Sequence, residues 1–176
     1  RRACICGAED EKTIASEDRY SIPVKTVICK NCGLIRCNPY FDEASLADFY
    51  EKYYRSLYIS SACDENMFEI RVKNGEKIIA DIEKSLNIKI ENQKVYETGC
   101  ASGAILQAFK NRGCNVYGCD FGTEWIEFGR RRGMTLENGS YEVLEKYGRA
   151  DIMILSHVLE HIINPLEFLK GIRNLL

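Results

Sequence analysis

No apolar run in this sequence approaches the roughly 18 residues that a membrane-spanning helix needs, so none is expected. The opening RRACICG lacks both the apolar core of a signal peptide and an initiator Met, and is read as the start of a trimmed piece of a longer chain. A basic excess is missing too: 24 Lys and Arg against 26 Asp and Glu leave a net charge of −2. That balance gives no electrostatic footprint for non-specific nucleic-acid binding. Low-complexity segments and internal repeats are absent, and there are only two histidines. Apolar residues make up 45% and charged residues 28% of the 176 positions, which excludes disorder and fits one medium domain with a small appendage.

Cysteine is the residue in excess, with nine in the chain. They are not spaced as a disulfide framework. Cys29-Lys30-Asn31-Cys32-Gly33 is a metal knuckle, and Cys4-Ile5-Cys6-Gly7 supplies a second pair. Together Cys4, Cys6, Cys29 and Cys32 offer four thiolates for a closed, tetrahedral structural zinc site. The single-residue spacing of Cys4 and Cys6 is short for such a site, and Cys37 is an alternative ligand. Cys100, Cys114 and Cys119 fall in strand or turn segments and read as small buried thiols. This usage fits a reducing, cytoplasmic setting.

Residues 1–40 consist of short β-like pieces ending at Asn38-Pro39, the zinc-ribbon-like segment. Residues 41–92 read as a helical linker or lid, with Asp42 as a helix cap and an interruption at ISSACDEN. From residue 93 strands alternate with helices: KVYETG, CNVYGCD, MTLENGS and ADIMILS are strands, and the segments between and after them are helical. Such alternation predicts an α/β Rossmann-like, mostly parallel sheet with helices on both faces. The apolar run Ile152-Met153-Ile154-Leu155 suits a central strand. Arg130-Arg131-Arg132 before Gly133 reads as a helix C-terminus rather than a phosphate contact.

Ligands of an open parallel sheet bind beyond the carboxyl ends of its strands. There the sequence places Gly99, Ala101 and Gly103, then Asp120 about 20 residues on, where a carboxylate can accept bonds from ribose hydroxyls. Glu97 decides which cofactor fits. Beside a pyrophosphate it would be repelled, and beside an ammonium and a sulfonium it would be attracted. The spacing therefore favours S-adenosylmethionine over NAD.

The segments VYETGCASGAIL, VYGCDFG, LENGSYEVL and ADIMILSHVLEHIINPLEFLK, in that order, resemble the class I S-adenosylmethionine-dependent methyltransferases. The resemblance implies that Glu97, Gly99, Ala101 and Gly103 line the methionine and ribose side, with Asp120 on the ribose and Ser156 also among the cofactor-binding residues. It implies Phe121, Ser140 and Tyr141 around adenine. An N-terminal zinc ribbon before such a core is similar to bacterial enzymes that methylate sugars or other small metabolites.

His157-x-x-Glu160-His161 also spells the H-x-x-E-H pattern of inverted zinc proteases. That reading needs one sustained helix and a further ligand, and the motif instead follows a strand directly. His157 is the candidate general base or acceptor-binding residue, with Glu160 and His161 orienting the acceptor. Tyr53, Tyr54 and Tyr58 are candidate lid residues. Acceptor determinants are expected beyond this piece, and the edge of the fourth strand of the alternating region is expected to favour self-association. The rival functions are an NAD-dependent oxidoreductase or epimerase, an RNA methyltransferase, and a non-catalytic zinc-ribbon module.

Overall fold

The computed structural model describes residues 2–40, 42, 45, 48, 52 and 64–176. They fall into two compact units, Arg1–Ser60 and Ser61–Leu176. In the first, β1 (Glu11–Ala15), β2 (Thr26–Cys29) and β3 (Ile35–Cys37) form an antiparallel sheet in sequence order. Among the described residues of this unit, Cys4, Val27, Cys29 and Asn38 are buried. Arg36 crosses to Glu11 at 2.8 Å, and the same carboxylate accepts from Asn38. Asp42 caps as expected, its Oδ1 accepting from the Ser45 amide at 2.8 Å.

The second unit opens with α1 (Glu65–Leu86), for which the sequence supplies both ends. Asp64 Oδ1 accepts from the Met67 amide at 2.7 Å, and Asn87 closes the helix in the left-handed region at φ 52°. Between them Phe68, Val72, Gly75 and Ile79 recur at helical spacing and form the buried stripe. Burying a side chain such as Ile79 contributes about 1.5–3 kcal/mol. Then follow β4 (Lys94–Thr98), α2 (Ala104–Lys110), β5 (Asn115–Asp120), α3 (Thr123–Arg130) and β6 (Thr135–Asn138). A 3-10 segment (Tyr141–Tyr147), β7 (Ile152–Ile154), a 3-10 turn (Leu159–His161) and α4 (Pro165–Asn174) complete it.

The four strands run parallel in the order β6-β5-β4-β7. The chain therefore steps outward from β4 to β6 and returns to the other side of β4, which makes the carboxyl ends of β4 and β7 a topological switch point. Alternate residues of β4 serve different faces. Val95 joins the core under α1, α2 and α3, while Tyr96 joins Leu144 and Leu175 under the 3-10 segment and the end of α4. Helices thus cover both faces, as the alternation predicts. Among the described residues β7 lies at the edge of the sheet, with Ile152 and Met153 half-buried, which is the strand edge expected of this piece.

The three arginines end α3 as read, and Gly133 follows at φ 74°. Arg132 stacks 3.6 Å over the Phe128 ring and pairs with Glu65, tying α1 to α3. Arg130 reaches Glu127 at 2.7 Å and the Leu136 carbonyl at 2.9 Å. Gly129 is a seat rather than a hinge. A Cβ there would press into the Ser102 carbonyl oxygen and lie 2.5 Å from Leu136 Cδ1. Gly129→Ala is expected to cost about 1–3 kcal/mol by overpacking. An unchanged denaturation midpoint would show that α3 has room to retreat.

Candidate functional site

β4 ends in a turn whose backbone alternates through the left-handed region: Gly99 at φ 70°, Ala101 at 48° and Gly103 at 72°. A residue with a Cβ is strained in that region by about 1–2 kcal/mol, and Ala101 is the one that bears it. Its amide is anchored by a 2.8 Å hydrogen bond to Asp120 Oδ2, while Gly122 donates to Oδ1 at 2.7 Å. Asp120, half-buried at the end of β5, is thereby fixed between the two turns. From the other side Val158 closes on the glycine turn, with its Cγ2 only 2.5 Å from where a Gly99 Cβ would stand.

Glu97 is the electrostatic centre of this region. It is 1% exposed, held in β4 between Gly118 and Ile154, and its Oε2 has no hydrogen-bond partner among the described residues. Burial drives its pKa well above the usual carboxylate range, and the nearby Asp120 adds to the rise. The Arg71 guanidinium of α1 acts in the opposite sense. Burial, with Glu97 and Asp120 behind it, also pushes the Cys100 thiol up. The geometry thus brings Glu97, Gly99, Ala101, Gly103 and Asp120 together, as the spacing predicts.

The outer candidates are less uniform. Phe121 is 74% exposed at the mouth of β5, so it does not serve the core. Asn138 donates to the Phe121 carbonyl at 3.4 Å and to Thr123 Oγ1 at 3.2 Å, bracing this loop. Ser140 is half-buried and its carbonyl accepts from Val143. Tyr141 turns toward α4, edge-on to Phe168 at 5.2 Å and over Gly171. Ser156 is half-buried at the exit of β7. His157 takes φ 55° and projects with 91% of its side chain exposed, its Nδ1 3.4 Å from Glu160 Oε1. Glu160 and His161 sit on a single 3-10 turn, not a sustained helix. Among the described residues they form no metal-ligating group. Tyr53, Tyr54 and Tyr58 lie outside the described residues.

Arg71, which the sequence did not single out, borders the site together with Trp125. Arg71 lies over the Trp125 ring at 5.9 Å, and Trp125 Cδ1 packs beside Gly122, whose amide holds Asp120. No motif distinguishes Arg71 from the other basic positions; only the packing of α1 does.

In the first unit the four expected thiols converge. The sulfurs of Cys4, Cys6, Cys29 and Cys32 all lie within 4.8 Å of one another. Cys4 and Cys32 are 3.5 Å apart, and Cys6 and Cys29 3.7 Å. Thiolates around one zinc at roughly 2.3 Å stand about 3.8 Å apart, so the residues fit that ion. Each knuckle closes on a left-handed glycine, Gly7 at φ 84° and Gly33 at 76°. The short Cys4-x-Cys6 spacing is accommodated because Gly7 donates to the Cys4 carbonyl and Cys4 to that of Ala8. Cys37 is exposed and outside the group. The Ala8 amide and Asn31 lower the Cys6 thiol to about 6. Cys32, despite the Leu34 amide, is pushed up to about 12 by Cys4 and Cys6.

Residues 67–176 match the model of a methyltransferase domain family. Among curated proteins, the ubiquinone biosynthesis O-methyltransferase of Psychrobacter cryohalolentis is 26% identical over 113 residues, covering 57% of this chain and 42% of that protein. The enzyme of the same name from Cereibacter sphaeroides is 28% identical over 110 residues, covering 57% and 44%. The chain thus spans less than half the length of these relatives. Among solved structures, magnesium protoporphyrin IX methyltransferase from Synechocystis PCC 6803 with bound SAH aligns with a TM-score of 0.52 at 16% identity, covering 76% of this chain and 68% of that one. The plantazolicin methyltransferase BpumL, also with SAH, aligns at 0.55 and 16% identity, covering 74% and 52%. At such identity they speak for the fold. With its sheet order, its glycine turn and a family match over residues 67–176, the chain belongs to the methyltransferase domain family, with the class I fold of S-adenosylmethionine-dependent enzymes.

Proposed function

We propose that this chain carries the cofactor-binding part of an S-adenosylmethionine-dependent methyltransferase whose acceptor is a small molecule, a sugar or nucleotide sugar being the class to screen first. The observation that carries the reading is Glu97, a buried carboxyl with an unpartnered oxygen at the switch point. Such an atom asks for a donor, and the cofactor's ammonium is one. The Gly99–Gly103 turn sets its backbone between Glu97 and Asp120, and Asp120 keeps lone pairs for the ribose hydroxyls beyond its two amide bonds. Phe121, Ser140, Tyr141 and Ser156 are proposed to complete the cofactor's surroundings.

When bound, the cofactor supplies a methyl group on a sulfonium. The protein's part is to align that methyl with the acceptor and, where the acceptor is protonated, to take up a proton. We assign that proton to His157, whose exposed ring is oriented by Glu160, with His161 on the following turn. The four cysteines are proposed to hold a structural zinc with no open coordination position, and the outer edge of β7 to be a site of self-association. His157→Ala in the full chain is expected to lower turnover at least 100-fold while changing cofactor affinity less than about threefold. Equal loss of both would place His157 in cofactor binding. Binding of NAD and not S-adenosylmethionine in calorimetry would revive the oxidoreductase reading.

A further inference from the structure

We propose that hydrogen peroxide converts the four thiolates of the first unit into two disulfides that cross between the knuckles, Cys4–Cys32 and Cys6–Cys29, releasing the metal while the sheet stays folded. The inference rests on the zinc reading above and adds a modification of that same site.

The pairing follows from how the thiols meet. Cys4 and Cys6 belong to one knuckle and Cys29 and Cys32 to the other, and sulfur contacts run between the two. They are 3.5 Å for Cys4 with Cys32 and 3.7 Å for Cys6 with Cys29. A disulfide bond is about 2.05 Å long, so each pair has to close by about 1.5 Å. Asn31 of the second knuckle donates to the Cys6 sulfur of the first at 3.6 Å, a further tie across the gap. The Lys30 amide donates to the Asp10 carbonyl at 3.0 Å, which fixes the second knuckle against the chain that follows the first.

Exposure gives the order of events. Within each knuckle one cysteine is exposed and the other buried: Cys6 and Cys32 outside, Cys4 and Cys29 inside. Each close pair therefore joins an exposed residue to a buried one. The peroxide meets the exposed member, whose thiolate attacks one peroxide oxygen. The O–O bond breaks, the sulfur becomes a sulfenic acid and hydroxide leaves. The buried thiolate then attacks that sulfur, the S–S bond forms, the S–O bond breaks and a second hydroxide leaves. Each disulfide thus gives two electrons to one peroxide. A sulfur that has spent its thiolate charge no longer ligates zinc. The new bonds span sequence separations of 28 and 23 residues, so they restrain the unfolded chain across the segments the metal joined.

The test treats the full chain, as purified and after zinc loading, with hydrogen peroxide. Zinc is followed with a chromogenic chelator, linkages by peptide mapping without reduction, sulfenic acid by dimedone trapping, and the sheet by hydrogen exchange. Expected are release of the zinc, the links Cys4–Cys32 and Cys6–Cys29, and early dimedone adducts on Cys6 and Cys32. Amide protection in β1, β2 and β3 should stay within about threefold of that in the untreated chain. Links within the knuckles, Cys4–Cys6 and Cys29–Cys32, would overturn the proposal. So would early adducts on Cys4 and Cys29, sulfinic acids without links, or loss of protection on oxidation. Cross-knuckle links in a chain that takes up no zinc would overturn the metal reading and leave the pairing standing.

Discussion

Glu97→Gln is expected to make the unliganded chain more stable and its hold on S-adenosylmethionine much weaker. The carboxyl is buried and carries a raised pKa, mainly from lost hydration and then from Asp120. Below about pH 4.3 the folded and unfolded chains both hold this proton and the group contributes no pH dependence. As pH rises further, the unfolded chain releases the proton while the folded chain keeps it, so stability falls until the folded-state pKa is passed. Glutamine removes that loss, and Tm at neutral pH should rise by roughly 2–5 °C, a gain that vanishes near pH 4. Affinity runs the other way. An ionised carboxylate attracts the ammonium, so wild-type affinity should increase with pH as the proton leaves, while the variant should lose at least about tenfold and flatten. Asp120, Arg71, Cys100 and the cofactor's own amine bear on the same profile, so the variant is the necessary reference. Unchanged affinity in Glu97→Gln would remove the ammonium contact from the site.

Stripping metal from the first unit is expected to unfold it. Among the described residues the three-stranded sheet buries only Val27 of its large aliphatic side chains, and leaves Ile14 and Ile35 close to half exposed or more. A core so small cannot offset the chain entropy of ordering these strands. Metal binding in such units contributes on the order of 10 kcal/mol, and that contribution disappears with the ion. Hydrogen exchange read at β1, β2 and β3 should therefore collapse from protected to near-random rates with a strong chelator, and in Cys29→Ser. Carefully purified protein should contain one zinc per chain. Protection that survives chelation would mean that the thiols alone, with the Arg36–Glu11–Asn38 cluster, hold the sheet.

Much of this architecture was readable because it is periodic or capped. Asp42 and the stripe through Phe68, Val72 and Ile79 are local patterns, and local patterns survive folding. The glycine turn and Asp120 were readable because their spacing encodes a strand, a turn and a second strand. Ile152-Met153-Ile154 is readable as a strand but not as to how many neighbours cover it, because an apolar run reports hydrophobicity and not position. Tyr141 shows a similar limit, since its partner Phe168 is far off in sequence. Arg71 was invisible for the strongest version of that reason. Its place is set by the packing of α1, which brings it over Trp125, and no motif near it in sequence marks that contact.

The glycine turn itself is clamped on two sides, by the backbone of Gly129 pressed on Ser102 and by Val158 pressed on Gly99. Neither side has a deformable layer of long side chains, so the turn is stiff in the way a jig is stiff. A stiff turn selects its ligand by shape before contact and has little ordering left to do afterward. Because Val158 is the neighbour of His157, a side chain added at position 99 would also displace the proposed proton acceptor. Alanine scanning would then report a base defect at a residue that never handles a proton. Position 99 is best probed by backbone-preserving changes in Val158, which shift the clamp without bending the turn.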